Sequence, residues 1–157
     1  MTHCTSDNIF TLDTNILVYS IDRAAGPRHE IARQIVNRAA LGACCLTLQS
    51  VSEFFSVVTR KGVVPPVEAV PVAEAIMELF RTATATASAV RAAMRLAASG
   101  RASYWDALLV HTAAEAECTA ILTEDLADNT SIAGVRIVNP FDGAALSAAA
   151  EAILSID

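Results

Sequence analysis

Ile9-Phe10-Thr11-Leu12-Asp13-Thr14-Asn15-Ile16-Leu17 decides how the chain is read. Ile9 to Leu12 is a short apolar run that ends on an aspartate, which fits a buried strand. Thr14 to Ile21 (TNILVYSI) follows at once as a short helix or turn. An acid at that junction is either the N-cap of the helix or a group at the carboxyl end of a strand, where ligands bind in open α/β sheets.

The same grammar repeats along the chain. Gly26-Pro27 breaks the first helical stretch, and Pro27 suits the first turn of the next. Ile31, Ile35, Val36 and Ala39 recur at helical spacing until Gly42 stops them. Ala43 to Leu48 is a second strand, and Ser50 to Arg60 a helix with Val51, Phe54, Phe55 and Val58 on one face. Val67 to Phe80 reads as helix, with Pro71 forcing a break or a late start. Ala85 to Leu96 is a helix closed by Gly100, and Thr82 to Ala89 reads as its exposed start. Ser103 to Glu117 gives the clearest helix. Thr119 to Thr123 and Val135 to Val138 are the third and fourth strands, with Pro140 ending the last. Strand and helix alternate, so the expected class is α/β: a central parallel sheet of about four to five strands flanked by helices. The Ala-rich tail, 142–157, is expected to be helical or loosely attached.

Composition bounds the function. A chain of 157 residues fits one domain. Its 54% hydrophobic and 18% charged content excludes intrinsic disorder. No apolar run reaches the ~20 residues of a membrane span. The N-terminus shows neither a basic segment nor an apolar h-region, so a cytoplasmic protein without a secretory signal is expected. Cys4, Cys44, Cys45 and Cys118 form no C-x-x-C pair and read as free thiols. The net charge of −6 argues against nucleic-acid binding over a broad basic face. It leaves room for an acidic site that works on a phosphodiester through a cation.

Four acids share one context. Asp13 follows the first strand, Glu53 lies in the first turn of the helix after the second, Asp125 follows the third, and Asp106 opens the clearest helix. Each has a plain structural alternative. Ser50 to Glu53 and Ser103 to Asp106 fit a capping box, and Thr123 could cap a helix start. As a set they suggest a hard divalent cation, because clustered carboxylates repel unless one sits between them. Metal-assisted hydrolysis at phosphate is the chemistry that uses such a set.

Leu12-Asp13-Thr14-Asn15-Ile16-Leu17, Ser52-Glu53-Phe54, Tyr104-Trp105-Asp106-Ala107-Leu108 and Leu122-Thr123-Glu124-Asp125-Leu126 resemble, in order and separation, the signature blocks of the PIN domain. Val138-Asn139-Pro140-Phe141 is similar to the ending of many members. The resemblance covers Ile9 to Phe141, giving a single PIN-like domain over 1–141. A small single-domain version of this kind looks like the VapC-type toxin of a toxin–antitoxin pair. The resemblance implies an endoribonuclease that uses Mg²⁺ (or Mn²⁺) and a metal-activated water, leaving 5′-phosphate and 3′-hydroxyl ends. It implies Asp13 and Asp106 as metal ligands, with Glu53 and Asp125 completing the acidic pocket. Thr14, Asn15 and Thr123 would orient the carboxylates. Glu124 and Asp128 crowd the last block, which leaves three candidates for the fourth acid. The implied partners are RNA, a cognate VapB-type antitoxin and a second copy of the chain, with no membrane.

Other residues carry less. His3, His29 and His111 are scattered, and His111 does not share a helix face with Asp106. Cys44 and Cys45 point to opposite faces of their strand and read as packing residues. Trp105 is expected in the core, with stacking on an RNA base as the alternative. Arg60, Lys61, Arg91, Arg95 and Arg101 read as phosphate contacts or as a solvated helix face. Val57, Val58, Val63, Leu79 and Phe80 read as apolar faces for a homodimer or an antitoxin helix. The competing function is a PIN-fold module that holds RNA or a partner without cleaving. A dehalogenase-like phosphatase would want Asp-x-Asp where the chain has Asp13-Thr14-Asn15, and Lys61 is misplaced for a receiver domain.

Overall fold

β1 (Phe10–Leu12) is buried on both faces, with Thr11 between the apolar Phe10 and Leu12. The computed structural model describes residues 8–155, so His3 and Cys4 lie outside the described residues. After β1 come α1 (Thr14–Ile21), α2 (Pro27–Ala39), β2 (Cys45–Thr47), α3 (Leu48–Arg60), α4 (Pro66–Leu79) and β3 (Arg81–Ala83). α5 (Ala87–Ala98), α6 (Tyr104–Glu115), β4 (Ala120–Leu122), β5 (Ser131–Ile132) and β6 (Val135–Val138) follow. A hairpin of β7 (Phe141–Asp142) and β8 (Ala145–Leu146) leads into α7 (Ala148–Leu154).

The main sheet has the order β1-β4-β6-β5, parallel except for β5, which runs antiparallel to β6. β2 and β3 form a separate parallel pair, joined to β1 by a bridge from Phe10 to Cys44. The expected α/β class with a parallel sheet and flanking helices is what the structure has. α6 is buried almost all round. Leu109 and Val110 pack on Ile121, Val135 and Ile137 of the sheet, while Ala107 and Leu108 pack on Ala89 and Ala93 of α5. The helix is thus clamped between layers, and its first turn is held at the rim of the sheet. Cys44 lies in the main core, whereas Cys45 packs with Ala113 and Cys118 in another cluster, so adjacent cysteines serve opposite faces.

Several expectations are corrected. Pro71 neither breaks nor delays α4, which begins at Pro66. Pro71 stands just past the first turn, so the missing N–H removes one ladder bond, to an exposed stretch. Thr82 to Ala89 is not simply a helix start: Arg81–Ala83 forms β3, and α5 begins at Ala87 behind its N-cap, Thr86. Val58 and Phe80 are core residues, 0% and 5% exposed, and offer no outer face. The exposed apolar side chains of that region are instead Val67, Val70, Met77 and Leu79 of α4. The tail is anchored: Ala150 and Leu154 enter the main core, and Arg38 of α2 grips Glu151 through two hydrogen bonds of 2.7 and 2.9 Å.

Candidate active site

Parallel pairing aligns the carboxyl ends of β1, β4 and β6. The Asp13 amide donates to the Leu122 carbonyl, and the Thr123 amide to the Val138 carbonyl, both at 3.0 Å. Asp13 and Thr123 therefore leave their strands side by side. Asp13 is the N-cap of α1, but its Oδ1 accepts from the adjacent Thr14 amide at 2.7 Å. Its Oδ2 accepts from Thr123 Oγ1 at 2.6 Å. Both oxygens are fixed, and the residue is 6% exposed.

Burial, and then the negative charges of Asp125 and Asp106, raise the Asp13 carboxyl from 3.8 to about 6, against the lowering effect of its hydrogen bonds to Thr123 and Thr14. Asp125 is also raised, by burial and by Glu124 and Asp106, with Asn15 opposing. Asp13, Asp106 and Asp125 therefore share one electrostatic field, although they come from three separate parts of the chain.

Glu53 joins them through Thr14. Thr14 Oγ1 donates to Glu53 Oε2 at 3.0 Å, while Gln49 Nε2 donates to Glu53 Oε1 at 2.9 Å. Glu53 does not stand in the first turn and is not part of a capping box. Thr47 takes the N-cap by accepting from the Ser50 amide at 3.1 Å, so α3 starts at Leu48 and Glu53 falls in its second turn. Half of the Ser103–Asp106 box forms: Ser103 Oγ accepts from the Asp106 amide at 3.1 Å, but Asp106 Oδ2 accepts from the Ser103 hydroxyl, at 2.7 Å, and not from its backbone N–H. Thr123 caps no helix, because none follows it; its hydroxyl accepts from the Asp125 amide at 3.1 Å in a tight turn. Asn15 Nδ2 donates to Asp125 Oδ2 at 3.1 Å.

The crowded last block separates by partner. Glu124 accepts from the Tyr19 hydroxyl and, at 3.0 Å, from Arg28 Nε. Asp128 Oδ1 accepts from the Asn139 amide at 2.8 Å. Asp125 has only Asn15 as a side-chain donor. Tyr19, Arg28 and Gln49 were not singled out in the sequence. Gln49 had a signal there, since it stands one helical turn before Glu53. Tyr19 and Arg28 had none, because their partner lies 105 and 96 residues away.

Two further features border the acids. Asn15 Oδ1 and Gln49 Oε1 are buried amide oxygens without a hydrogen-bond partner. Trp105, the residue before Asp106, is 61% exposed and so is not a core residue. Among the described residues, no three His, Cys, Asp or Glu side chains converge closely enough to enclose an ion by themselves. The oxygen-only donor set, the Asp13 and Asp125 carboxyls raised by burial and then by neighbouring negative charge, and the unpartnered amide oxygens suit a hard cation that takes two carboxylates and keeps its waters.

The PIN domain family model matches residues 10–127, a span that contains all four acids. No curated protein matches the chain significantly in sequence. Among solved structures, VapC20 of Mycobacterium tuberculosis, a sarcin–ricin loop cleaving toxin, is similar with a TM-score of 0.59 at 17% identity, over 74% of this chain and 91% of that one. VapBC2 of Rickettsia felis, bound to a DNA fragment from its promoter, gives 0.61 at 15% identity, over 85% and 99%. A toxin–antitoxin complex from Klebsiella pneumoniae gives 0.60 at 20% identity, over 84% and 98%. At these identities the likeness is one of fold.

Proposed function

The chain belongs to the PIN domain family, and from that premise we propose that it is a metal-dependent endoribonuclease, the VapC-type toxin of a toxin–antitoxin pair. The observation that carries this reading is the state of Asp13: a carboxyl fixed at both oxygens and raised first by its burial and then by the charges of two other aspartates. That arrangement is costly without a cation and suited to one.

Asp13 and Asp106 would hold Mg²⁺ or Mn²⁺. Bound there, the ion supplies Lewis acidity that activates water and offsets negative charge on the phosphodiester. The chain's own residues do the rest. Thr123 and the Thr14 amide keep Asp13 in one rotamer, and Ser103 does the same for Asp106. Glu53, held by Thr14 and Gln49, adds negative charge beside the ion. Asp125, open to solvent and raised by burial and by the charges of Glu124 and Asp106, would take a proton from an attacking water. No histidine or lysine is needed in this scheme. The assignment of the fourth acid to Asp125 is supported by the other commitments of Glu124 and Asp128.

The toxin assignment draws on the VapC and VapBC neighbours in fold. An antitoxin, or a second copy of the chain, would cover the exposed apolar face of α4. No helix among the described residues is long and apolar enough to cross a membrane, which agrees with a cytoplasmic site of action on RNA.

Purified protein free of antitoxin, incubated with RNA and Mg²⁺, Mn²⁺ or EDTA, tests the reading, with cleaved 5′ ends mapped by sequencing. Metal-dependent cleavage that Asp13→Asn and Asp106→Asn abolish, while folding survives, is the expected result. An active Asp13→Asn protein would overturn it. RNA binding without cleavage under every metal condition would favour the non-cleaving module.

A further inference from the structure

Trp105 is the second residue of α6 and immediately precedes Asp106. It is 61% exposed, although the large apolar indole gains most from burial. The ring is not left loose. Tyr104 stands edge-on to it, with centroids 5.0 Å apart at 65°. Its backbone carbonyl accepts from Gln49 Nε2 at 3.0 Å, and the same nitrogen donates to Glu53 Oε1 at 2.9 Å. Gln49 thus registers the Trp105 backbone against the acid set. The other large exposed apolar side chains lie elsewhere: Leu41 just after α2, Val67, Val70, Met77 and Leu79 on α4, and Met94 on α5. Among the described residues, Trp105 is the one large exposed apolar side chain that adjoins any of the four acids in sequence.

We propose that Trp105 is a substrate-contacting residue that stacks on an unpaired base next to the scissile phosphate. The inference rests on the ribonuclease reading and goes beyond it by assigning a base contact outside the acid set. A phosphate drawn to Asp106 brings the neighbouring nucleotide to the adjacent side chain. Every base has a π-face, so an indole there accepts any base in sequence but only one that has left its own stack. A duplex keeps its bases stacked and paired, and gains nothing from the ring.

Trp105 is the only tryptophan in the chain, so its fluorescence reports on this position alone. The full-length Asp13→Asn protein with Mg²⁺ is titrated with an eight-nucleotide single-stranded RNA of mixed sequence, and separately with the same RNA as a blunt duplex. Affinity is read in parallel by anisotropy of end-labelled RNA. The expected result is quenching by the single strand and much less by the duplex. Adding Trp105→Ala should weaken single-strand binding about tenfold or more, while Trp105→Phe keeps most of it. Saturable binding without quenching, equal quenching by the duplex, or unchanged affinity in Trp105→Ala would each overturn the proposal. So would a Trp105→Ala protein that loses self-association in sedimentation while its RNA affinity stays the same, which would make the ring a protein contact. Cleavage by the wild-type chain is scored separately. A wild type that cleaves while Trp105 stays silent removes only the stacking role; quenching without wild-type cleavage removes only the nuclease reading. No detectable RNA binding together with no wild-type cleavage removes both.

Discussion

Thr123 Oγ1 donates a 2.6 Å hydrogen bond to Asp13 Oδ2, tying the carboxyl end of β4 to that of β1 across 110 residues of sequence. Thr123 is fully buried, so no water replaces its hydroxyl if it is removed. Thr123→Val keeps the side-chain shape and deletes the donor. The Asp13 carboxylate would then lose a hydrogen bond that favours its charged form. The expected cost is about 1–3 kcal/mol of stability near neutral pH. Mg²⁺ affinity should fall roughly 10- to 100-fold, as for other groups that orient a ligand. Calorimetric titration with MgCl₂ checks this; equal affinity in the two proteins would show that the hydroxyl orients nothing.

The raised Asp13 carboxyl makes the metal-free protein respond to pH in the reverse of the usual carboxylate sense. Unfolded, the group titrates near 3.9; folded, burial and then the charges of Asp125 and Asp106 put it at about 6, with Thr123 and Thr14 pulling the other way. Between those values the folded state binds more protons than the unfolded one, so stability falls as pH rises. The loss should run from about pH 4 to about pH 6 and level off above, reaching about 3 kcal/mol in full. Asp125, also raised, adds a contribution of the same sign. Urea unfolding in EDTA across this range measures the slope. Asp13→Asn should flatten it, and Mg²⁺ at pH 7 should restore stability to the wild type.

What could be read from the sequence follows from burial. β1, β2 and β4 announce themselves because they are buried along their whole length and carry nothing more polar than a threonine, and β6 because three buried apolar residues flank its exposed Arg136. β3 (Arg-Thr-Ala) is half-exposed and carries no apolar run, so nothing marked it. β5 was hidden by its turn. The two-residue connection to β6 places Ala133 at φ 52° and Gly134 at φ 79°, the left-handed geometry that Asn-Gly would have signalled and Ala-Gly does not. Asp13, Asp106 and Asp125 were legible because each follows a strand or opens a helix, and Glu53 because it stands in the helix that follows β2, though one turn later than expected. Their supports were less so: Thr14, Asn15 and Thr123 adjoin an acid in sequence, whereas Tyr19 and Arg28 reach Glu124 only through the fold. Trp105 misled because an indole in an apolar helix reads as core, whereas α6 buries the faces that carry Ala107 to Val110 and turns Trp105 outward.

The C-terminal helix should prove integral to the fold. Leu154 is 3% exposed within the main core, and Ala150 on the preceding turn is fully buried. Leu154→Ala is expected to cost about 2–5 kcal/mol through lost burial and the cavity left behind. Glu151→Gln removes the charge of an exposed ion pair to Arg38 and should change stability little. Denaturant midpoints of the two variants measure the contrast. If Leu154→Ala unfolds at the wild-type midpoint, the helix is only loosely attached.

Glu124 and Asp125 are neighbours with different duties, and substitution should separate them. Glu124 is held by the Tyr19 hydroxyl and by Arg28, which also lies 5.2 Å from the centre of the Phe141 ring, while Tyr19 meets that ring edge-on at 5.8 Å. These contacts link α1, α2 and the β7–β8 hairpin, so Glu124 is committed to structure. Its bond with Arg28 is half-exposed, which keeps its worth small. Glu124→Gln should therefore cost at most about 1 kcal/mol of stability and leave cleavage within roughly threefold of wild type. Asp125 points its charge toward Asp106 and Asp13 and has one amide donor to satisfy it. Asp125→Asn should relieve repulsion, leave the fold intact or slightly firmer, and lower the cleavage rate roughly 100-fold through loss of a proton acceptor. Steady-state cleavage of a labelled RNA, with thermal midpoints of the same preparations, reads both. The reverse ranking, with Glu124→Gln inactive and Asp125→Asn active, would move the fourth acid to Glu124 and make the Tyr19–Arg28 pair its positioning groups.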